Sequence, residues 1–187
     1  MHTDTVDAKF SRARLGFTLT ELMVVVMMVM LLVLLPQMNL LPALARNRFR
    51  ARAQKFVSVM QMAAISAAQS DRRYEVIVDL AEQMYTLREI TNPDLSQVLE
   101  EEIIVEEDFG ESCTVTEILF DDGDYTNEGR AKFRAGRSGW QYGGKVLLVD
   151  DEGCLYSIVV NRLDRAVQLV RGDAQLLTPK FKEDVPF

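Results

Sequence analysis

Gly16-Phe17-Thr18-Leu19-Thr20-Glu21, followed by the apolar run from Leu22 to Leu35, is the stretch on which the reading of this chain turns. The run holds no polar atom beyond its backbone and does not tolerate water on every side. With Phe17 to Thr20 added it approaches the ~20 residues that carry a helix across a bilayer. One acid, Glu21, stands at its head. A carboxylate at depth in lipid costs on the order of 2.5–3.5 kcal/mol on insertion scales. Leu22–Leu35 supplies no Lys, Arg or His to offset that cost, so the sequence asks for a partner from outside. A buried soluble helix is disfavoured because it would have to be apolar on every face. A secretory signal is disfavoured because Leu34-Leu35-Pro36-Gln37 makes a poor small-residue cleavage site.

The order glycine, aromatic residue, acid at the fifth place counted from Phe17, then a long apolar run, resembles the processing signal of type IV prepilins and type II secretion pseudopilins. The resemblance implies cleavage by a prepilin peptidase between Gly16 and Phe17 and N-methylation of Phe17. It also implies a pairing of Glu21 with the Phe17 ammonium of a neighbouring subunit, which would turn two costly groups into one ion pair. A generic signal anchor would share the hydrophobicity but leave Glu21 unexplained.

Charge divides the chain into zones. Residues 1–16 are weakly basic, with Lys9, Arg12 and Arg14 against Asp4 and Asp7. Arg46, Arg48, Arg50, Arg52 and Lys55 form a basic band with no acid among them. From Asp71 to Phe187, 13 basic side chains face 25 acidic ones. Such a surface repels phosphate backbones, so no nucleic-acid partner is expected. The one histidine, His2, lies in the segment the resemblance removes, taking with it the commonest general base and metal ligand. No nucleophile motif, phosphate loop or metal spacing stands out, so neither enzymatic activity nor a cofactor or metal is expected. Cys113 and Cys154 match no zinc spacing; they are either a disulfide or two separate buried thiols.

Taken in order, the chain reads as a leader at 1–16, a helix over 17–70, and a β-rich globular domain over 71–187. Within the helix, 17–35 is expected to cross the membrane and 43–70 to be amphipathic. Phe49, Ala53, Phe56, Met60, Ala63 and Ala67 recur at steps of three and four, the face that should lie on the domain. Pro36 and Pro42 should loosen or merely kink the helix between its halves. The basic band suits either anionic headgroups or acidic surfaces of neighbouring subunits. By the positive-inside preference Arg12 and Arg14 would keep the N-terminus cytoplasmic, giving a single-pass bacterial inner-membrane protein with a periplasmic C-terminal domain.

Beyond Ser70 the period changes to two. Residues 74–79 and 83–88 read as a hairpin, and Ile103–Val105 and Cys113–Phe120 as strands between acidic runs. Glu100-Glu101-Glu102 is expected as a solvated edge, and Asp121-Asp122-Gly123-Asp124 as a turn matching no EF-hand loop. Lys145–Val149, Leu155–Val160 and Ala166–Val170 form an antiparallel meander. With the glycine-rich loop around Trp140 and Tyr142, this last third resembles the C-terminal sheet of GspH/FimT-type minor pilins. The expected fold is therefore α+β and pilin-like: a long helix, part membrane span and part amphipathic, packed on a C-terminal antiparallel sheet. The function the resemblance implies is that of a minor pseudopilin of the type II secretion pseudopilus. Its partners would be the peptidase, sister pseudopilin or pilin subunits, an inner-membrane assembly platform and membrane lipid. A type IV minor pilin, used in adhesion or DNA uptake, and a membrane-tethered periplasmic recognition domain remain as alternatives.

Overall fold

The protein is described here by a computed structural model, which covers residues 17–92, 98–162 and 165–176; the side chains of 35–42 lie outside that description. Helix α1 spans Leu19–Ser70. It is followed by β1 (Arg73–Asp79), β2 (Met84–Ile90), a 3-10 turn (Glu100–Glu102), β3 (Ile103–Asp108), β4 (Cys113–Phe120) and β5 (Tyr125–Thr126). The remaining strands are β6 (Arg130–Gly136), β7 (Gly139–Trp140), β8 (Gly144–Asp150), β9 (Leu155–Val160) and β10 (Val167–Arg171).

The strands make two antiparallel sheets of five, in the orders β3-β2-β1-β6-β7 and β10-β9-β8-β4-β5. The first is seeded by the β1–β2 hairpin, with Asp79 opposite Met84 and Arg73 opposite Ile90. Its other half comes from β6, which pairs with β1 across the long stretch between Asp79 and Arg130. The second grows from the β8-β9-β10 meander, which takes β4 on its far side. Gln83 ties the two together. Its side-chain amide donates to the carbonyls of Leu80 and Val115, and its side-chain oxygen accepts the Val115 N–H at 2.7 Å.

Two compact units emerge, Met1–Pro42 and Ala43–Phe187. In the second, the amphipathic part of α1 is the common wall for both sheets. Phe56 meets Tyr85 of β2 and Phe109 at ring distances of 5.0 and 5.1 Å, while Phe49 meets Tyr156 of β9 at 4.4 Å. Ala53, Ala63 and Ala67 on the same face are fully buried. The apolar face read from the sequence is the face that is buried.

The expected architecture needs correction in two respects. The pilin-like arrangement of a long helix on a C-terminal sheet gives way to a fold carried by two antiparallel sheets. Nor is α1 a long apolar helix as a whole, because the basic band at 46–55 lies inside it. Among the described residues no helix is long and apolar enough to cross a membrane. The fully described apolar part, residues 19–34, reaches only ~24 Å at 1.5 Å per residue, against a hydrocarbon core of ~30 Å. The single-pass inner-membrane placement is withdrawn on this ground.

Candidate assembly site

The expected leader, residues 1–16 with Gly16 at its end, lies outside the described residues. Phe17 and Glu21 are described, and both are exposed. Thr18 opens the helix: its Oγ1 accepts the Glu21 backbone N–H at 3.3 Å, and its carbonyl accepts the N–H of Leu22. Thr18-x-x-Glu21 is thus the sequence pattern of a capping box, a signal present in the chain but not drawn from it. Glu21 also sits in the first helical turn, where the unsatisfied N–H groups stabilise a negative charge by roughly 0.3–1 kcal/mol. The acid therefore has a local reason to be there, beside the intermolecular pairing that the resemblance leads one to expect.

Past Glu21, every described side chain from Leu22 to Leu34 is exposed, from 48% at Val25 to 75% at Met27. The side chains of Pro36 and Pro42 lie outside the described residues, and the boundary between the two compact units falls after Pro42.

Part of the basic band is engaged within the chain itself. Lys55 Nζ reaches Glu107 at 2.7 Å, Arg46 reaches Glu152 at 3.0 Å and Arg52 reaches Asp108 at 3.5 Å. Three of the five bases clamp the helix to acids of its own β domain. Lys55 is the main reason the Glu107 carboxyl is held below its ordinary range. Arg48 and Arg50 are left exposed.

Cys113 and Cys154 are both free thiols. Cys113 pairs with Asp150 across β4 and β8, and Asp150 in turn donates its N–H to the Cys154 carbonyl. The two cysteines are separated by an intervening strand, about 9–10 Å at ~4.8 Å per step. A disulfide needs Cα atoms within about 7 Å, so this geometry forms none. Burial pushes the Cys113 thiol up to about 12.

The Asp121–Asp124 segment is a turn held by its own groups: Asp122 accepts the Asp124 N–H at 3.1 Å, and Phe120 accepts that of Gly123. Among the described residues no cluster of three metal-ligating side chains occurs. Trp140 is core, edge-on to Phe133 at 6.3 Å, and Tyr142 lies under the Arg162 guanidinium at 5.6 Å.

One polar cluster was not anticipated. Glu75 and Arg88 face each other across β1 and β2, fully buried, with nitrogen–oxygen distances of 2.6 and 2.8 Å. Arg88 also reaches Glu102 at 3.2 Å, and Glu75 accepts from Arg134 Nε at 2.7 Å. Far from a solvated edge, Glu102 is buried and accepts from the Thr91 hydroxyl and from the backbone N–H groups of Thr91 and Asn92. The Thr91 hydroxyl is the largest cause of its lowered pKa. The signal was available: a hairpin closing Asp79 on Met84 necessarily sets Glu75 opposite Arg88.

No family model matches the chain, and neither does any curated protein or solved structure.

Proposed function

We propose that the chain is a structural subunit of a filament of the type II secretion pseudopilus class, assembled through its N-terminal helix. The observation that carries this reading is the collar of exposed apolar side chains from Leu22 to Leu34. A helix apolar on all faces and exposed along its described length needs an apolar neighbour. Copies of the same segment, or of a sister subunit, supply one. The motif read at Gly16, Phe17 and Glu21 adds the chemistry: removal of residues 1–16 by a prepilin peptidase leaves an ammonium on Phe17. Glu21 of the adjoining subunit then pairs with it as the apolar segments bundle. Exposure of both residues leaves them available for such a contact.

The test is the mass of the protein from its own cells, joined to an assembly assay. A chain starting at N-methyl-Phe17 supports the reading; a chain still carrying Met1 beside an active prepilin peptidase overturns it. Glu21→Ala should be processed normally yet enter filaments poorly. Wild-type filament yield from that variant would remove the pairing.

A further inference from the structure

At one end of the first sheet lies a cavity of about 400 Å³, between the start of β1, the end of β2 and the β6–β7 turn. Its polar wall comes from Arg73, Arg134, Ser138 and Gln141, and its apolar wall from Ile90 and Trp140. In a domain with almost twice as many acids as bases, none of the lining residues among those described is acidic. Every charged or amide side chain there is able to donate hydrogen bonds.

The two guanidinium groups are held differently. Arg134 is anchored from behind, its Nε donating to the buried Glu75, which leaves the terminal NH2 groups of the fork for another acceptor. Glu75 does not neutralise it alone, because the same carboxylate also takes Arg88. Arg73, exposed at the mouth, forms no ion pair among the described residues. Among the described residues the charges of Glu75, Glu102, Arg88 and Arg134 balance, which leaves Arg73 as an added positive charge at the cavity. A preorganised arginine backed by a buried carboxylate, with a second arginine free beside it, is an arrangement suited to planar oxyanions.

The geometry points to an oxyanion-binding site here, taking a carboxylate or phosphate group between Arg73 and Arg134. Ser138 and Gln141 add neutral donors, and Ile90 with the indole of Trp140 receives whatever apolar part adjoins the anion. The site is independent of the filament reading and of leader removal. Two sources offer the chemistry, an acidic peptide side chain and free phosphate.

Trp140 is the only tryptophan in the chain, so its emission reports on this cavity directly. The full-length protein is titrated, at ionic strength fixed with sodium chloride, with an end-blocked tri-glutamate peptide in one arm and inorganic phosphate in the other. A saturable change in Trp140 emission is expected in at least one arm, and the responding arm names the source. Arg73→Gln should weaken that response about tenfold, with an unchanged near-ultraviolet dichroism spectrum showing that the fold is intact. Arg130→Gln, which removes a base paired to Asp79, should leave the affinity as it is. Arg134→Gln is the less clean variant because it uncovers Glu75. A response matched by sodium chloride alone, one that never saturates, no response in either arm, or equal affinity in Arg73→Gln overturns the site.

Discussion

Arg88 shows how much rests on single residues in this fold. It is 1% exposed and joins Glu75 to Glu102, and through Glu75 it is coupled to Arg134. Truncating one member of a buried pair leaves the other charge without its counter-ion, at about 3–5 kcal/mol. Arg88→Ala should therefore lower the unfolding free energy by that order in urea titrations, and Arg88→Met should recover little, because it restores volume without a donor for Glu75 and Glu102. The pH dependence has a definite sign. Asp79, Glu102 and Glu107 all titrate below their ordinary range, Asp79 chiefly because of Arg130 and Glu107 chiefly because of Lys55. Carboxyls depressed by folding contribute stability that is present above their unfolded pKa and lost as pH falls through the folded one. Melting temperature should be flat with respect to these groups above about pH 5 and fall below about 4.5. Lys55→Gln should lower the plateau and shallow the fall, as followed by thermal melts between pH 3 and 7.

At the scale of elements, the helix face and most of the longer strands were legible because local periodicity writes them, but β6 (Arg130–Gly136) was not read as a strand. Phe49, Phe56 and Met60 announce their face by spacing alone, and the residues from Tyr74 to Asp79 announce a strand. Which strand joins which sheet was not legible. The pairing of β1 with β6 and of β4 with β8 is decided by side chains far apart in sequence. The two sheets were therefore read as one. Glu102 was misplaced for a related reason: a run of three glutamates looks solvated until Arg88 arrives from another strand. Thr18 could have been recognised as a cap, had Glu21 not been read first as an acid in lipid.

The same scale yields a test on β8. A Cβ on Gly144 would stand 2.7 Å from the Leu119 carbonyl oxygen and 3.2 Å from the Phe133 ring. Backbone cannot step aside as a flexible side chain can, so Gly144→Ala should cost about 1–3 kcal/mol of unfolding free energy in urea titrations. Gly153, a turn glycine with φ +78° and open space around it, should lose less on the same change, through backbone strain alone.

For the molecule as a whole, the division after Pro42 separates the unit with the exposed apolar residues 22–34 from the unit that carries the hydrophobic core. A chain beginning at Ala43 keeps the whole hydrophobic core from Phe49 to Val167. It should fold cooperatively and sediment as a smaller species than the full chain under the same conditions, since it has shed the exposed residues 22–34. Equal association of the two would move the self-contact out of the helix and onto the β domain.

The strand that keeps the two thiols apart has a practical consequence for anyone probing neighbours in an assembly. Oxidation cannot be absorbed within one molecule, and Cys113 is both sealed in and slow to ionise. Thiol reagents should label Cys154 first, reaching Cys113 only on unfolding, as read by timed mass spectrometry. A covalent dimer trapped by mild oxidant would then be joined through Cys154. That makes the turn after Asp150 a built-in sensor of how closely two copies approach.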